Sequence, residues 1–248
     1  MNKFYFIVVV ILACGTVRAQ NLVIGVTAGG NLSKFKFTEN LDFEYPDRMF
    51  VPGLSGGVRA GFNFNQNFGL HTGLEFIERG SRYSQDDWGL EVSDNNYIIG
   101  YSEWEEKLRY LSIPLTGRWQ SGGEDGGFIL SAGFSFNLGI KATIVQRFES
   151  PALPDALTVS DEENTFGTSA RDVYRPVKPG FIFSPGYMFS LGEHGRLTVS
   201  AGFDAGLGDS FNKKWKDDFT TIIGENINRT LFLNIGYEYH FEVAEEVY

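Results

Sequence analysis

His71, Glu75 and Arg79 recur every fourth residue in "HTGLEFIER", a base, an acid and a guanidinium in register. Such a set can move protons or lock into ion pairs. The same choice faces the other titratable residues that share a polar face by parity: Arg59, Arg109, Arg118, Lys141, Arg196, Asp204, Glu238 and His240. Among the firm charges, six Lys or Arg stand against three acids. Acid-base or nucleophilic catalysis needs a base within hydrogen-bond reach of a nucleophile and a third group to orient it. No spacing in the chain marks such a set, so no catalytic residue is assigned. Cys/His metal spacing, a phosphate-cradling loop and a calcium loop are also missing from the sequence, so no metal site and no cofactor are expected.

What these residues do depends on what holds them. The chain alternates large apolar and small or polar residues over long stretches. In Phe128–Lys141, for instance, Phe128, Leu130, Ala132, Phe134, Phe136, Leu138 and Ile140 interleave with Ser131, Gly133, Ser135, Asn137 and Gly139. Period-2 alternation is the strand signal. It predicts eight strands, at 22–33, 53–64, 68–82, 108–120, 128–145, 179–191, 196–208 and 229–241. Most are longer than the ~5–6 residues usual for soluble strands and match the ~9–11 of a tilted membrane-spanning strand. Pro114 and Pro185 each remove a ladder donor, which predicts a bulge or bend at each.

The connections alternate strictly. Short ones fall at Asn65–Asn67, Ser121–Gly127 and Gly192–Gly195, and long ones at 34–52, 83–107, 146–178 and 209–228. In an up-and-down meander the long loops then share one end. Short periplasmic turns with long extracellular loops are the pattern of outer-membrane barrels. Gly-rich inward positions fit the narrow, side-chain-filled lumen of eight strands. Phe62, Phe64, Phe68, Trp119, Phe128, Phe189, Tyr239 and Phe241 crowd the short-turn ends, like an interfacial girdle. Outward mid-strand positions carry almost no charge, where a charge would cost ~2–4 kcal/mol at the bilayer midplane. A soluble lipocalin-like barrel would share the alternation but not the loop asymmetry. The reading is all-β: an eight-stranded antiparallel up-and-down transmembrane β-barrel.

The N-terminus reads as an export signal, residues 1–19, with Lys3 ahead of the apolar run Phe4–Ala13 and small-residue cleavage after Ala19. The barrel domain is then 20–248, with both termini periplasmic. A competing reading makes Cys14, the only cysteine, a lipidated first residue. The net charge of −10 argues against a nucleic-acid binder.

"GVTAGGNLSKF" (25–35), "GVRAGFNFNQNFGLHTGLEFIERGSRY" (57–83), "LRYLSIPLTGRW" (108–119) and "NRTLFLNIGYEYHF" (228–241) resemble the small outer-membrane β-barrel family of Bacteroidetes-type bacteria, many of them called PorT-like. Tyr110–Leu115 is the most specific piece. The resemblance implies an eight-stranded outer-membrane barrel and no single activity. The tail 242–248 departs from it by running past the final strand aromatic, Phe241.

The expected function is non-enzymatic: envelope integrity, surface interaction, or assembly of an envelope or secretion complex. Rivals are a lipid-modifying enzyme with a Ser–His–acid set at the rim, and a narrow transport barrel. The inward charges read as a structural plug of Arg–carboxylate pairs, or else as a slightly basic conduit or ligand pocket. Expected partners are outer-membrane lipid and lipopolysaccharide, the barrel-assembly machinery during insertion, and an envelope protein met through the long loops. Segment 83–107 is acidic and aromatic, and 209–228 clusters Lys213, Lys214 and Lys216 around Trp215.

Overall fold

A computed structural model describes residues 21–38, 48–93, 96–121, 126–152, 157–164, 166, 173–210 and 225–242. The expected export signal, Cys14, the Lys213–Lys216 cluster and the tail beyond Glu242 lie outside the described residues.

The strands are β1 (Asn21–Thr38), β2 (Val51–Asn63), β3 (Phe68–Ser93), β4 (Asn96–Gln120), β5 (Gly126–Glu149), β6 (Leu157–Asn164), β7 (Val177–Leu191), β8 (Gly195–Gly206) and β9 (Glu225–Glu242). Eight of them close into an antiparallel ring in the order β1-β2-β3-β4-β5-β7-β8-β9, with β9 pairing back onto β1 from Asn21↔Glu242 to Thr38↔Glu225. Closure leaves no sheet edge in lipid, where an unpaired N–H or C=O has no water to meet. β6 stands outside the ring and, among the described residues, pairs only with the upper part of β5.

Burial follows the alternation. Leu22, Ile24, Val26, Leu54, Val58, Leu70, Leu74, Ile113, Leu115, Phe134, Phe136, Leu231, Leu233 and Ile235 are exposed on the outside, while Asn31, His71, Glu75, Ser112, Asn137, Asp204, Asn234 and Glu238 are buried inside. A soluble protein would reverse this. At the short-turn end the outward aromatics pack in pairs, with ring centroids 5.3 Å apart for Phe128–Tyr187 and 4.7 Å apart for Tyr239–Phe241.

The expected long connections need correction, for strand reaches into each of them: β1 runs on to Thr38 and β9 begins at Glu225. Segment 83–107 is not a loop: β3 and β4 stay paired beyond the lipid band, up to Ser93↔Asn96. β5 likewise runs on to Glu149, and β6 lies inside the expected loop 146–178. Above the lipid, outward positions need not be apolar, so the alternation stops while the ladder continues.

Neither proline makes a bulge. At Pro114 the β3–β4 ladder breaks off after Thr72↔Leu115 and resumes at Glu75↔Ser112 in the same register. At Pro185 the β7–β8 ladder breaks between Phe183↔Phe203 and Gly186↔Ser200, again without a shift. The expected irregularity is an interruption of the ladder at each proline rather than a bulge, and the Thr72 hydroxyl donates to the Pro114 carbonyl at 2.8 Å.

The ring's bulge is elsewhere. Arg109↔Lys141 is followed by Tyr110↔Gly139, leaving Ile140 extra on β5. From Lys141 onward, β5 residues therefore take the opposite face from the one simple alternation assigns them.

Candidate functional site

The inward charges meet in pairs across the lumen. Near the short-turn end, Arg118 Nη1 donates to both oxygens of Glu238, at 2.9 and 2.8 Å. His240 Nε2 lies 3.7 Å from Glu238 Oε2. His71 is held between Asn63 Oδ1, 3.3 Å from its Nε2, and Arg118 Nη1, 3.5 Å from its Nδ1. In the middle, Arg59 Nε donates to Glu75 Oε1 at 2.7 Å. Higher up, Arg79 Nη2 donates to Asp204 Oδ2 at 2.5 Å, and the Ser135 hydroxyl donates to the same oxygen at 3.0 Å. Both members of the Arg79–Asp204 and Arg118–Glu238 pairs are buried. Charges taken out of water persist only when paired and hydrogen-bonded in this way.

Glycine makes the room. A Cβ on Gly61 would collide with the His71 ring, and one on Gly180 would collide with Asp204 Oδ1. The sequence places these glycines by the same period-2 rule that places the charges.

Two predicted lumen residues point the other way. Arg109 is exposed on the outer face just above the lipid band and donates from Nε to Glu78 Oε1 at 2.9 Å. It shares the parity of outward Ile113 and Leu115, so strand parity alone places it outside. Lys141 pairs with Arg109 across β4–β5 and so shares its outer face, because the extra residue Ile140 inverts the parity at Lys141. Arg196 stays on the inner side but caps the β7–β8 turn, donating from Nη1 to the Gly192 and Gly195 carbonyls, each at 3.0 Å.

Sequence reasoning missed Lys178. It is buried at the opposite end, with Nζ 5.4 Å from the Tyr110 ring centroid and 5.7 Å from those of Phe35 and Tyr174. Its inward parity with Gly180 was readable, but it precedes the stretch where alternation is regular. Around it Phe35, Leu108, Tyr110, Ala142 and Tyr174 form a buried apolar cluster, joined by Phe166 and Val173. Phe166 packs on Tyr110 and Tyr174 at 5.5 and 5.6 Å, in a place open only because residue 139 is glycine. This cluster fills part of the barrel interior at the long-loop end, as an aromatic stopper.

Between stopper and Arg118–Glu238 lies a cavity of about 70 Å³, where Arg59, Glu75, Arg79, Asp204, Arg118 and Glu238 share the lining with apolar Ile77, Ile129, Ile182 and Phe232. A water needs at least ~10–15 Å³, so the cavity has room for about five to seven at most. Its charged lining balances, three guanidinium groups against three carboxylates. Among the described residues no cluster of His, Cys, Asp and Glu has the arrangement of a metal site.

Beyond the lipid band a second ion-pair group joins the projecting strands. Arg48 Nη1 donates to Glu106 Oε2 at 3.0 Å and its guanidinium lies over Tyr83, which stacks on Trp104 at 5.0 Å. Burial pushes the Tyr83 hydroxyl up to about 12. Burial also works against the Glu105 carboxylate, but hydrogen bonds from Lys107 and Arg82 outweigh it and hold its pKa below the usual value.

The model of the outer membrane protein beta-barrel domain matches residues 18–212, well over half of the chain. The chain belongs to this outer-membrane β-barrel family. It is therefore a protein of the bacterial outer membrane, crossing it with strands. Among solved structures it is similar to Neisserial surface protein A, at 11% identity over 89% of this chain and 97% of that one, TM-score 0.41. It is also similar to OprG from Pseudomonas aeruginosa, at 11% identity over 91% and 98%, TM-score 0.45. The outer membrane protease OmpT from Escherichia coli is similar too, at 11% identity over 91% and 98%, TM-score 0.36. No curated protein matches the chain.

Proposed function

We propose that this protein is a non-enzymatic integral barrel of the PorT-like, Bacteroidetes type. Its lumen is held shut, and it acts through what projects from the membrane, in envelope integrity, surface interaction or assembly of an envelope or secretion complex. The observation that carries this reading is the lumen itself. Arginine–carboxylate pairs bridge it, their charges balance, and an aromatic stopper fills part of one end. Eight strands leave little further space. A residue set arranged this way holds strands together rather than passing solutes.

In this reading residues 1–19 are a cleaved export signal, and the short turns and both termini face the periplasm. The projecting β3–β4 and β5–β6 strands then stand at the cell surface, beside lipopolysaccharide. Assembly machinery meets the chain during insertion, and an envelope protein meets the projecting strands.

Two rival readings make different demands. A lipid-modifying enzyme needs a serine within hydrogen-bond reach of a histidine, and the contacts of His71 and His240 are with other groups. His71 is held by Asn63 and Arg118, and His240 stands by Glu238. A narrow transport barrel needs an open lumen.

Two measurements test the proposal. In planar bilayers the purified barrel is expected to be silent; steady single-channel currents overturn the closed-lumen reading. In intact cells, photo-crosslinkers at Gln85 and Ile99 on the projecting strands are expected to trap a protein partner, and those at Asn65 and Gly192 in the short turns are not. The opposite pattern overturns the surface assignment.

A further inference from the structure

The outer face of β1 is apolar from Leu22 to Leu32, and that of β9 from Leu231 to Phe241. Each run matches the ~9–11 residues of a tilted membrane-spanning strand, so each ends at the lipid boundary on the long-loop side. The next outward position on both strands is a cation. Lys34 follows Leu32, Arg229 precedes Leu231, and the register sets Lys34 directly opposite Arg229. Lys36, one outward position further, lies diagonally across from Arg229. Arg229 and Lys36 are exposed. Lys34 Nζ lies 4.8 Å over the ring of Phe50, which is itself exposed.

Like charges directly opposite one another across a ladder repel. On the β3–β4 face the outward cations are matched by acids, Arg109 by Glu78 and Lys107 by Glu105. On β1 and β9 the ladder sets cation against cation. That is a cost to the barrel alone and a gain to a barrel that holds an anion between them. The depth points to a lipid: at the end of an apolar band the headgroups stand beside the strand, and cations there attract anionic ones. The charge points to a phosphate monoester, which carries ~1.5–2 negative charges at neutral pH, where the phosphodiester of an ordinary phospholipid carries one.

We propose that Lys34, Lys36 and Arg229 hold the phosphate monoester of lipid A, the acylated glucosamine phosphate that anchors lipopolysaccharide in the outer leaflet. This rests on the long-loop end facing the cell surface, as proposed above, and gives the lipid partner a site.

Native mass spectrometry of the full protein in detergent reads the preference among lipid A, lipid A stripped of phosphate, phosphatidylglycerol and inorganic phosphate. Lipid A is expected to be held more tightly than the other three. Lys34→Gln with Arg229→Gln should weaken lipid A binding by about tenfold. Lys107→Gln with Arg109→Gln removes as many cations from another face and should leave it unchanged. Unfolding gives a second readout, of opposite sign in two lipids. In vesicles of zwitterionic lipid, Lys34→Gln with Arg229→Gln should raise the urea midpoint, because the repulsion is gone. With lipid A present it should lower the midpoint.

Equal retention of lipid A with and without phosphate overturns the inference, as does equal retention of phosphatidylglycerol. Inorganic phosphate bound as tightly as lipid A makes this a free-anion site and overturns it too. So does an equal loss of binding in both pairs of substitutions, or a midpoint shift indifferent to lipid A. Failure to bind lipid A while the Gln85 and Ile99 crosslinks remain overturns this site and leaves the surface assignment standing. The reversed crosslink pattern overturns both, whatever lipid A does in detergent.

Discussion

Arg118 on β4 and Glu238 on β9 face each other across the full width of the barrel. Their strands are four steps apart in a ring of eight, and the guanidinium reaches both carboxylate oxygens within 2.9 Å. Arg79 on β3 and Asp204 on β8 repeat the relationship one strand round. The lumen thus contains two cross-barrel struts. Each ties together strands that share no ladder.

Breaking a strut should be costly and non-additive. Removing one partner of a buried pair costs ~3–5 kcal/mol, because the other charge is left in place. Arg118→Met is therefore expected to lower the urea midpoint in lipid vesicles strongly. Arg118→Met combined with Glu238→Leu should recover much of that loss. Equal or additive losses would show that the strut does not act as a pair.

Parity makes a sharper contrast. Arg109 lies on the same strand as Arg118 but on the outer face and nearer the other end, beside Glu78 and open to the interface. An exposed pair contributes ~0.2–1 kcal/mol. Arg109→Met should move the urea midpoint far less than Arg118→Met, and a comparable shift would put Arg109 back in the lumen.

The stopper depends on a glycine. Gly139→Val would drive a side chain into the Phe166 ring. Overpacking of this kind costs ~1–3 kcal/mol. The expected result is a displaced Phe166 and faster labelling of a cysteine placed at Ser184, in the cavity below the stopper, by a soluble thiol reagent. Unchanged labelling would mean that the stopper sits elsewhere.

The projecting strands should loosen at both pH extremes. Glu105 is held below its ordinary pKa, so its contribution is present above the usual carboxylate range and is lost as pH falls through the depressed value. Tyr83 is raised to about 12, so its contribution is complete below the ordinary tyrosine value and lost as pH climbs through 12. Protease nicking of the β3–β4 hairpin should rise at the acid and alkaline ends while the ring stays protected. Glu105→Gln should abolish the acid limb that Glu105 contributes.

Much of this protein was readable from residue order. Lipid demands an apolar outer face, and a strand's period of two transmits that demand to every second position. This gave the spanning strands, the short turns and the inward placement of His71, Glu75, Arg79, Asp204 and Glu238. Where lipid ends, so does the signal, which is why the projecting hairpin looked like a loop. Tertiary structure alone decided the rest. Arg118 finds Glu238 because ring closure sets β4 opposite β9, a relationship no local spacing encodes. One bulge at Ile140 turns Lys141 outward. The stopper forms because Phe166 and Tyr174, far from Tyr110 in sequence, fold back over the same opening.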